Sequence, residues 1–176
     1  MDDSVLPECY VDTCLIETLV PPNSHYNHQK GSGTVAKKMK TFFGDRFALG
    51  IIDKDKRELY YLQEFTSVVR KNNLELYKHK KRHHYLILIN PAIETFILNN
   101  ATAAGISISS FGLPETPEEF RKISKSMNSK KDPRFRKLFN ALVKSEEEEI
   151  MLLITWISYL KAENYDADMD VLKRMG

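Results

Sequence analysis

The segment from Phe47 to Arg57 constrains the fold of this chain more than any other stretch. An apolar run ends at Ile52 and leads directly into Asp53, and Asp55 follows after one lysine. A run this short, without alternating polar residues, is typical of a buried, central strand in a parallel sheet. Open α/β sheets bind ligands at the carboxyl ends of their strands, so the two acids are predicted to face a ligand.

The chemistry of this pair of acids favours a metal ion. Two carboxylates this close repel each other unless a cation lies between them, and hard cations take oxygen ligands. Asp53 and Asp55 are therefore candidate ligands of Mg²⁺ (or Mn²⁺). The alternative is a hairpin turn with residues 58–62 as the returning strand, because Asp and Lys are common in turns. Both interpretations hold if the tip of the hairpin carries the ligands.

A second acid is predicted near the start of the chain. The residues Cys9–Val11 predict a short strand, and a helix with apolar residues at helical spacing follows and ends before Pro21. Asp12 lies between the two and is a candidate ligand, with capping of the helix as its alternative role. Glu8, just upstream, is a candidate for the same site.

A third acid follows the clearest strand pattern, Tyr85–Ile89. Asn90 is predicted to cap the next helix, with Pro91 at its first position. Glu94 then lies in the first turn of that helix, where interaction with the helix dipole is its alternative role. Three strand ends would thus each bring an acid to one edge of the sheet.

Basic and glycine-containing loops supply candidates for contacts with phosphate. The polar loop 22–32 precedes a helix predicted at 34–43, and the free backbone amides of such a loop favour anions. The basic loop 78–84 is predicted either to be a solvated connection or to contact phosphate, and the segment 125–131 is similar. The histidines of the loop 78–84 lack the spacing of a zinc site. The phosphate-contact candidates are His28 (an ordinary loop residue in the alternative), Lys30, Lys54, Lys80, Lys81 and Arg82.

The rest of the chain is predicted to be mainly helical. Residues 63–72 predict a short helix, and Leu74–Tyr77 predicts an edge strand. Later helices are predicted to start at Thr116 (a capping box with proline next to it), at Asp132 and at Ser145. The predicted organisation is an α/β domain at 1–110, with a C-terminal helical extension at 111–176 packed on it.

Composition limits the class of protein. The 176 residues are 42% hydrophobic and 28% charged, which predicts a globular chain. The net charge of +2 does not by itself indicate nucleic acid as a partner. No apolar run approaches the length of a membrane span, and the acidic N-terminus is unlike a signal peptide, so no membrane partner and a cytoplasmic location are expected. Cys9 and Cys14 fit neither a zinc nor a disulfide pattern, so both are predicted to be reduced.

The order of these elements resembles a compact Toprim domain over roughly residues 5–100. The resemblance rests on the strand, acid and helix at 9–20, on the strand that ends in Asp-x-Asp, and on the strand that leads into Asn-Pro-x-x-Glu. Topoisomerases, bacterial primases and nucleases of the overcoming-lysogenization-defect type share that domain. It implies a mostly parallel central sheet flanked by helices (Toprim/Rossmann-like). Small relatives occur in phage defence and in mobile elements.

The resemblance also implies a site and a function. In that family an acid after the first strand and an Asp-x-Asp motif bind Mg²⁺, which points here to Glu8 or Asp12, to Asp53 and to Asp55. Glu8 and Asp12 have the family spacing, but Cys9 replaces the usual glycine. Glu94 resembles a further acid of the defence-type relatives. The catalytic candidates are Glu8, Asp12, Asp53, Asp55 and Glu94.

The function so implied is a Mg²⁺-dependent nuclease or nuclease subunit that acts on phosphodiesters, with nucleic acid as its partner. Compact Toprim domains often work beside an ATPase or another subunit, so such a protein is a second expected partner. The alternative is a non-catalytic, partner-binding subunit of a larger complex. Residues 10–16 are also similar to the opening of a PIN-type ribonuclease, but Asp53 and Asp55 do not match the order of its later acids.

Overall fold

The structure is a computed structural model that describes residues 2–54 and 60–176. Within these residues five strands form one mixed sheet with helices on both faces, and more helices follow. The α/β fold class predicted from the sequence is therefore confirmed. The strands are β1 (Val5–Pro7), β2 (Ala48–Asp53), β3 (Phe65–Lys71), β4 (Leu74–His79) and β5 (His84–Ile89). The α-helices are α1 (Tyr10–Leu19), α2 (Ser32–Lys38), α3 (Ile93–Ala103), α4 (Pro117–Ser124), α5 (Pro133–Lys144), α6 (Glu148–Glu163) and α7 (Met169–Arg174).

The strand order in the sheet is β1-β2-β5-β4-β3. Strands β1, β2 and β5 are parallel, whereas β4 and β3 run antiparallel to their neighbours. The prediction that the apolar run ending at Ile52 forms a central parallel strand is confirmed by β2. Because β1, β2 and β5 run in one direction, their carboxyl ends lie at one edge of the sheet, which we call the carboxyl edge. The opposite edge, where β2 and β5 begin, is called the amino edge.

Alternate side chains of β2 pack on opposite faces of the sheet. Leu49 and Ile51 belong to a large core, shared with α1, α3, α5 and α6. Ala48 and Ile52 belong to a smaller core under α2 and the π-helical turn Met39–Phe43 that continues it. A Cβ atom on Gly50 would lie 2.6 Å from Leu86 Cδ2 and 2.8 Å from Val35 Cγ1. The absence of a side chain at this position therefore lets α2 lie close to the sheet.

The C-terminal helices share the larger core with the strands. Phe120, Phe135, Trp156 and Leu160 are fully buried in the same cluster as Leu49. The residues after position 110 thus pack directly on the α/β part, while the boundary at residue 110 stays a prediction.

One predicted element near the N-terminus differs from the structure. The strand predicted at Cys9–Val11 is wrong, because β1 is Val5–Pro7 and α1 already starts at Tyr10. The apolar residues Val5 and Leu6 are fully buried, but three residues give too short a pattern to recognise. Glu8 therefore follows the strand, and Asp12 lies in the first turn of α1.

Further corrections concern the middle of the chain. The helix predicted at 63–72 is wrong, since a 3₁₀ turn at Tyr60–Glu64 leads into the extended strand β3. That turn also excludes the returning hairpin strand at residues 60–62, and residues 58–59 lie outside the described part. Strand β4 is not an edge strand, because β3 pairs with its other side.

Two predicted helix starts move by two residues. Helix α3 begins at Ile93, with Ala92 and not Asn90 at its N-cap. Helix α6 is capped by Glu147 and not by Ser145, since its carboxylate accepts hydrogen bonds from Glu149 N and Ile150 N.

Candidate functional site at the carboxyl edge

The carboxyl edge brings together four acids that the sequence singled out. Glu8 follows β1, Asp53 is the last residue of β2, and Asp12 and Glu94 lie in the first turns of α1 and α3. We call these four residues the carboxylate cluster. Asp55, the second acid of the Asp-x-Asp motif, lies outside the described residues.

Backbone amides orient the cluster. Glu8 Oε2 accepts a hydrogen bond from Asp53 N at 2.9 Å, and Asp53 Oδ1 accepts one from Ile93 N at 2.8 Å. Asp12 Oδ2 accepts a bond from Cys9 N at 2.9 Å, so Asp12 contributes to the cap of α1 from the third position of the helix, while Cys9 is the N-cap residue. These bonds tie the ends of two strands to the starts of two helices.

Glu94 is held by a side chain from the C-terminal part. Ser124 Oγ, at the end of α4, donates a hydrogen bond of 2.7 Å to Glu94 Oε1, and both residues are buried. Arg121, one turn earlier on α4, is exposed, and its positive charge acts on Asp53. Helix α4 thus places a cation and a hydroxyl beside the acids. No local sequence pattern indicates a role for Arg121 or Ser124, because their position depends on how α4 packs against α3.

The acids of the cluster disfavour one another's charge. Burial, followed by the negative charge of Asp53, raises the pKa of Asp12 well above its ordinary value. Burial and the charge of Glu8 raise the pKa of Asp53 to about 7, although the hydrogen bond from Ile93 N and the charge of Arg121 oppose this shift. A proton or a cation would relieve the repulsion.

The carboxylate oxygens of the cluster are the type of ligand that a hard cation prefers, but their positions do not form a metal site. Asp12 is 2% exposed, and its Oδ1 atom is buried without a hydrogen-bond partner in the described part of the chain. Such an acceptor suits a hard cation. Yet among the described residues no three acidic, histidine or cysteine side chains are placed so that they could hold a metal ion. Because the carboxylates are directed at backbone amides, holding a metal requires their side chains to turn or Asp55 to contribute.

His28 lies beside the first turn of α1. Its Nδ1 is 3.1 Å from Thr13 Oγ1, and its ring stacks on Tyr10 with 4.0 Å between centroids. Thr13 Oγ1 donates its own proton to Cys9 O, so the ring nitrogen is the donor in the bond with His28. Nε2 therefore carries the lone pair, and it is buried without a partner among the described residues.

The charge state of His28 follows from its surroundings. Burial and the positive charges of Lys130 and Lys30 lower the pKa of His28, although a backbone hydrogen bond to Cys9 opposes this. A neutral imidazole of this kind can accept a proton but gives no positive charge to a phosphate. Lys30, whose positive charge acts on His28, is exposed and is the better candidate for contact with a phosphate.

Lys54 has a structural partner. Its Nζ atom lies 2.6 Å from Oε1 of Glu75, whose side chain is 2% exposed. Arg70 and Tyr77 contact the other carboxylate oxygen at 2.9 and 2.8 Å. Lys54 therefore compensates a buried charge, and the structure does not direct it at the carboxylate cluster.

The basic loop with Lys80, Lys81 and Arg82 lies at the amino edge. It immediately precedes β5, whereas the carboxylate cluster lies beyond the other end of that strand. A strand of six residues separates the two by roughly 20 Å. The structure therefore does not bring these three phosphate-contact candidates to the acids.

A polar cleft beside the β3–β4 turn was not predicted. It has a volume of about 490 Å³ and is lined by residues of the β3–β4 turn, the end of α3 and the start of α6. Glu149, only 6% exposed, accepts hydrogen bonds there from Asn73 N at 2.7 Å and from Asn100 Nδ2 at 3.0 Å. In the sequence Glu149 is only the last of four consecutive glutamates near a predicted helix start, and its partners are distant along the chain.

Comparison of the chain with protein-family models, with curated proteins and with solved structures finds no match. The resemblance to Toprim domains therefore stays a prediction from the sequence. None of the helices in the described part of the chain combines the length and the apolar character needed to cross a membrane.

Proposed function

We propose that this chain is a divalent-metal-dependent nuclease or nuclease subunit that acts on phosphodiesters, as in phage defence. The observation that carries the proposal is the convergence of four acids at the carboxyl edge, where the pKa values of Asp12 and Asp53 are both raised. Ligands bind at this edge in open α/β sheets, and a cation would remove the repulsion between the acids.

In this proposal the residues of the cluster and their neighbours have separate roles. Glu8, Asp12 and Asp53 would hold Mg²⁺ or Mn²⁺, with Asp55 as a further ligand. The ion, when bound, polarises a phosphate oxygen and lowers the pKa of a bound water. Arg121, whose positive charge acts on Asp53, would attract the phosphate, and the lone pair on Nε2 of His28 would accept a proton.

A second function, the non-catalytic subunit that binds a partner protein, is favoured by one specific observation. The carboxylates of Glu8, Asp12 and Asp53 already accept hydrogen bonds from backbone amides that hold the edge of the sheet together. Acids in such a role need no metal ion. The two functions differ in how the protein responds to divalent cations.

The test combines cleavage with metal binding. Purified protein is incubated with single- and double-stranded DNA and RNA in Mg²⁺, in Mn²⁺ and in chelator, and thermal unfolding is measured under the same conditions. Asp53→Asn keeps an oxygen acceptor for Ile93 N but removes the charge, and Asp166→Asn is the matched control at an exposed position. Asp55→Asn examines the acid outside the described residues.

For the nuclease we expect metal-dependent cleavage that falls at least about 100-fold in Asp53→Asn and is unchanged in Asp166→Asn. We also expect Mn²⁺ to raise the unfolding temperature of the parent but not of Asp53→Asn. Absence of both effects would contradict the nuclease and support the non-catalytic subunit. Metal binding without cleavage would indicate that a partner subunit is needed.

A further inference from the structure

An exposed aromatic ring lies among basic residues at the amino edge. Phe42 is 56% exposed at the end of the π-helical turn, whereas its neighbour Phe43 is 7% exposed. Lys38 Nζ and Arg46 Cζ lie 4.8 and 5.0 Å from the centre of the Phe42 ring. The structure thus places a largely exposed aromatic ring beside two cations.

The basic loop of the amino edge adjoins this ring. Arg82 Nη1 donates hydrogen bonds to Lys40 O at 3.1 Å and to Gly44 O at 3.4 Å, which fixes the loop against the end of the π-helical turn. Lys80 and Lys81, just before it, are exposed. We call the surface formed by residues 37–46 and 80–83 the basic-aromatic face.

The charge of this face contrasts with that of the whole chain. Four of the ten residues 37–46 are basic and one is acidic, and residues 80–82 are all basic, whereas the net charge of the chain is only +2. The nearby acids Asp45 and Glu64 pair with Arg82 and Lys40, which leaves a positive excess. Positive charge is therefore concentrated at the edge opposite the carboxylate cluster.

A second exposed aromatic ring borders the face. Tyr165 is 51% exposed, and its ring lies 4.8 Å from that of His83. Its hydroxyl accepts a hydrogen bond from Phe47 N at 3.1 Å, which holds the C-terminal segment against the start of β2. The face thus combines cations with two exposed aromatic rings.

We infer that the basic-aromatic face binds single-stranded nucleic acid. Unpaired bases stack on exposed aromatic rings, and a positively charged surface follows the phosphate backbone, so the two features together fit a single strand. In a duplex the bases are already stacked and are not available to Phe42. The inference does not rest on the proposed hydrolysis, because the face lies at the opposite edge of the sheet from the acids.

The test measures binding without cleavage. The fluorescence anisotropy of a labelled oligothymidylate and of a duplex of equal length is followed in chelator. Every protein in this experiment carries Asp53→Asn, and the protein with that substitution alone serves as the reference. Phe42→Ala removes the ring, and Lys81→Gln removes one charge of the face. The controls are Met151→Ala, another partly exposed apolar side chain, and Lys144→Gln, an exposed lysine on α5. Unfolding temperatures verify that each variant is folded.

We expect Phe42→Ala to weaken binding of the single strand by about 5- to 150-fold and to leave its dependence on salt unchanged. Lys81→Gln should weaken the binding of both the single strand and the duplex, and it should lower the slope of log affinity against log salt concentration by about one. Both controls should bind the two ligands with the affinity of the Asp53→Asn reference.

Three results would overturn the inference. One is equal affinity of Phe42→Ala and Met151→Ala for the single strand. Another is tighter binding of the duplex than of the single strand. The third is displacement of the oligonucleotide by polyglutamate at equal charge concentration, which would indicate an acidic protein partner. If cleavage is absent but binding follows the expected pattern, only the proposed hydrolysis fails.

Discussion

Glu8 accepts a hydrogen bond from the backbone N–H of Asp53, with 2.9 Å between Oε2 and N. Asp53 in turn accepts a bond from Ile93 N, so one series of bonds joins β1, β2 and α3. The same two carboxylates repel each other, because the charge of Glu8 helps to raise the pKa of Asp53. Substitutions that keep the acceptor but remove the charge can separate these two effects.

The first prediction concerns the pH dependence of stability. Since the pKa of Asp53 is about 7 in the folded protein and 3.8 ordinarily, the folded state binds the proton more tightly. The contribution of Asp53 to stability is therefore expected to fall as pH rises from about 4 to about 7. Asp53→Asn does not titrate and should be more stable than the parent at pH 8, by about 1–3 kcal/mol, but not at pH 4.

Urea unfolding in chelator between pH 4 and pH 8 measures this difference. Asp166→Asn should follow the parent at every pH, because Asp166 is exposed. If the stability difference between Asp53→Asn and the parent does not grow with pH over this interval, the acids of the cluster do not repel each other as described.

The second prediction distinguishes a structural from a phosphate-binding role of Lys54. Burial would raise the pKa of Glu75, but hydrogen bonds from Lys54 and Tyr77 and the charges of Lys54 and Arg70 lower it. Lys54→Met should cost about 1 kcal/mol of unfolding free energy at pH 7, since the lysine is partly solvent-screened. Because the pKa of Glu75 is lowered on folding, this cost should disappear as pH falls below about 4.

Urea unfolding at pH 7 and at pH 4 tests the role of Lys54, with Lys144→Met as the control. Binding of oligonucleotides should be unchanged in Lys54→Met. A loss of binding without a loss of stability would restore the phosphate-contact role predicted from the sequence.

The parts of the fold that sequence patterns predicted are those with continuous burial. Every residue of β5 is buried, and all but the last of β2, so both read as apolar runs. Strand β3 was not predicted because it is the outermost strand of the sheet, and only Phe65 of its seven residues is buried. Its β-branched residues Thr66, Val68 and Val69 before Asn72-Asn73 were the available signal for a hairpin.

The candidate site was accessible to the same reasoning only in part. The order of strands and acids predicted that Asp53, Glu94 and an acid near residue 8–12 would meet at one edge, and the structure places them there. The sequence left open whether Glu8 or Asp12 follows the first strand, because β1 is too short for its limits to be recognised from the sequence. Arg121 and Glu149 depend on how separate helices pack, which no local pattern encodes.

The third prediction concerns Glu149. Its carboxylate accepts hydrogen bonds from Asn73 N, Asn73 Nδ2 and Asn100 Nδ2, and so joins the β3–β4 turn to α3 and α6. Glu149→Ala leaves these buried donors unpaired and should cost about 2–4 kcal/mol of unfolding free energy. Chemical denaturation measures the loss. Glu163→Ala, an exposed acid on the same helix, should change stability by less than about 0.5 kcal/mol, and an equal loss in both variants would refute this role.

The fourth prediction concerns Gly50. A methyl group there would lie within 2.8 Å of side-chain atoms of Leu86 and Val35. Gly50→Ala should therefore destabilise the protein by about 1–3 kcal/mol as α2 is pushed from the sheet. Gly33 has open space around its Cβ position, so Gly33→Ala is the control, and thermal unfolding compares the two. Equal stability of both variants would show that α2 moves without cost.

The order of the strands also has a consequence for folding kinetics. Strands β3, β4 and β5 are consecutive in the chain and pair as neighbours, whereas β1 reaches β2 only after a long crossover. Closing the short loops costs less entropy, so we expect the β3–β5 meander to form before the parallel pairs. Leu76→Ala should then slow folding, whereas Leu6→Ala should mainly speed unfolding, as stopped-flow measurements would show. The edge that gathers the acids would be the last part of the sheet to assemble.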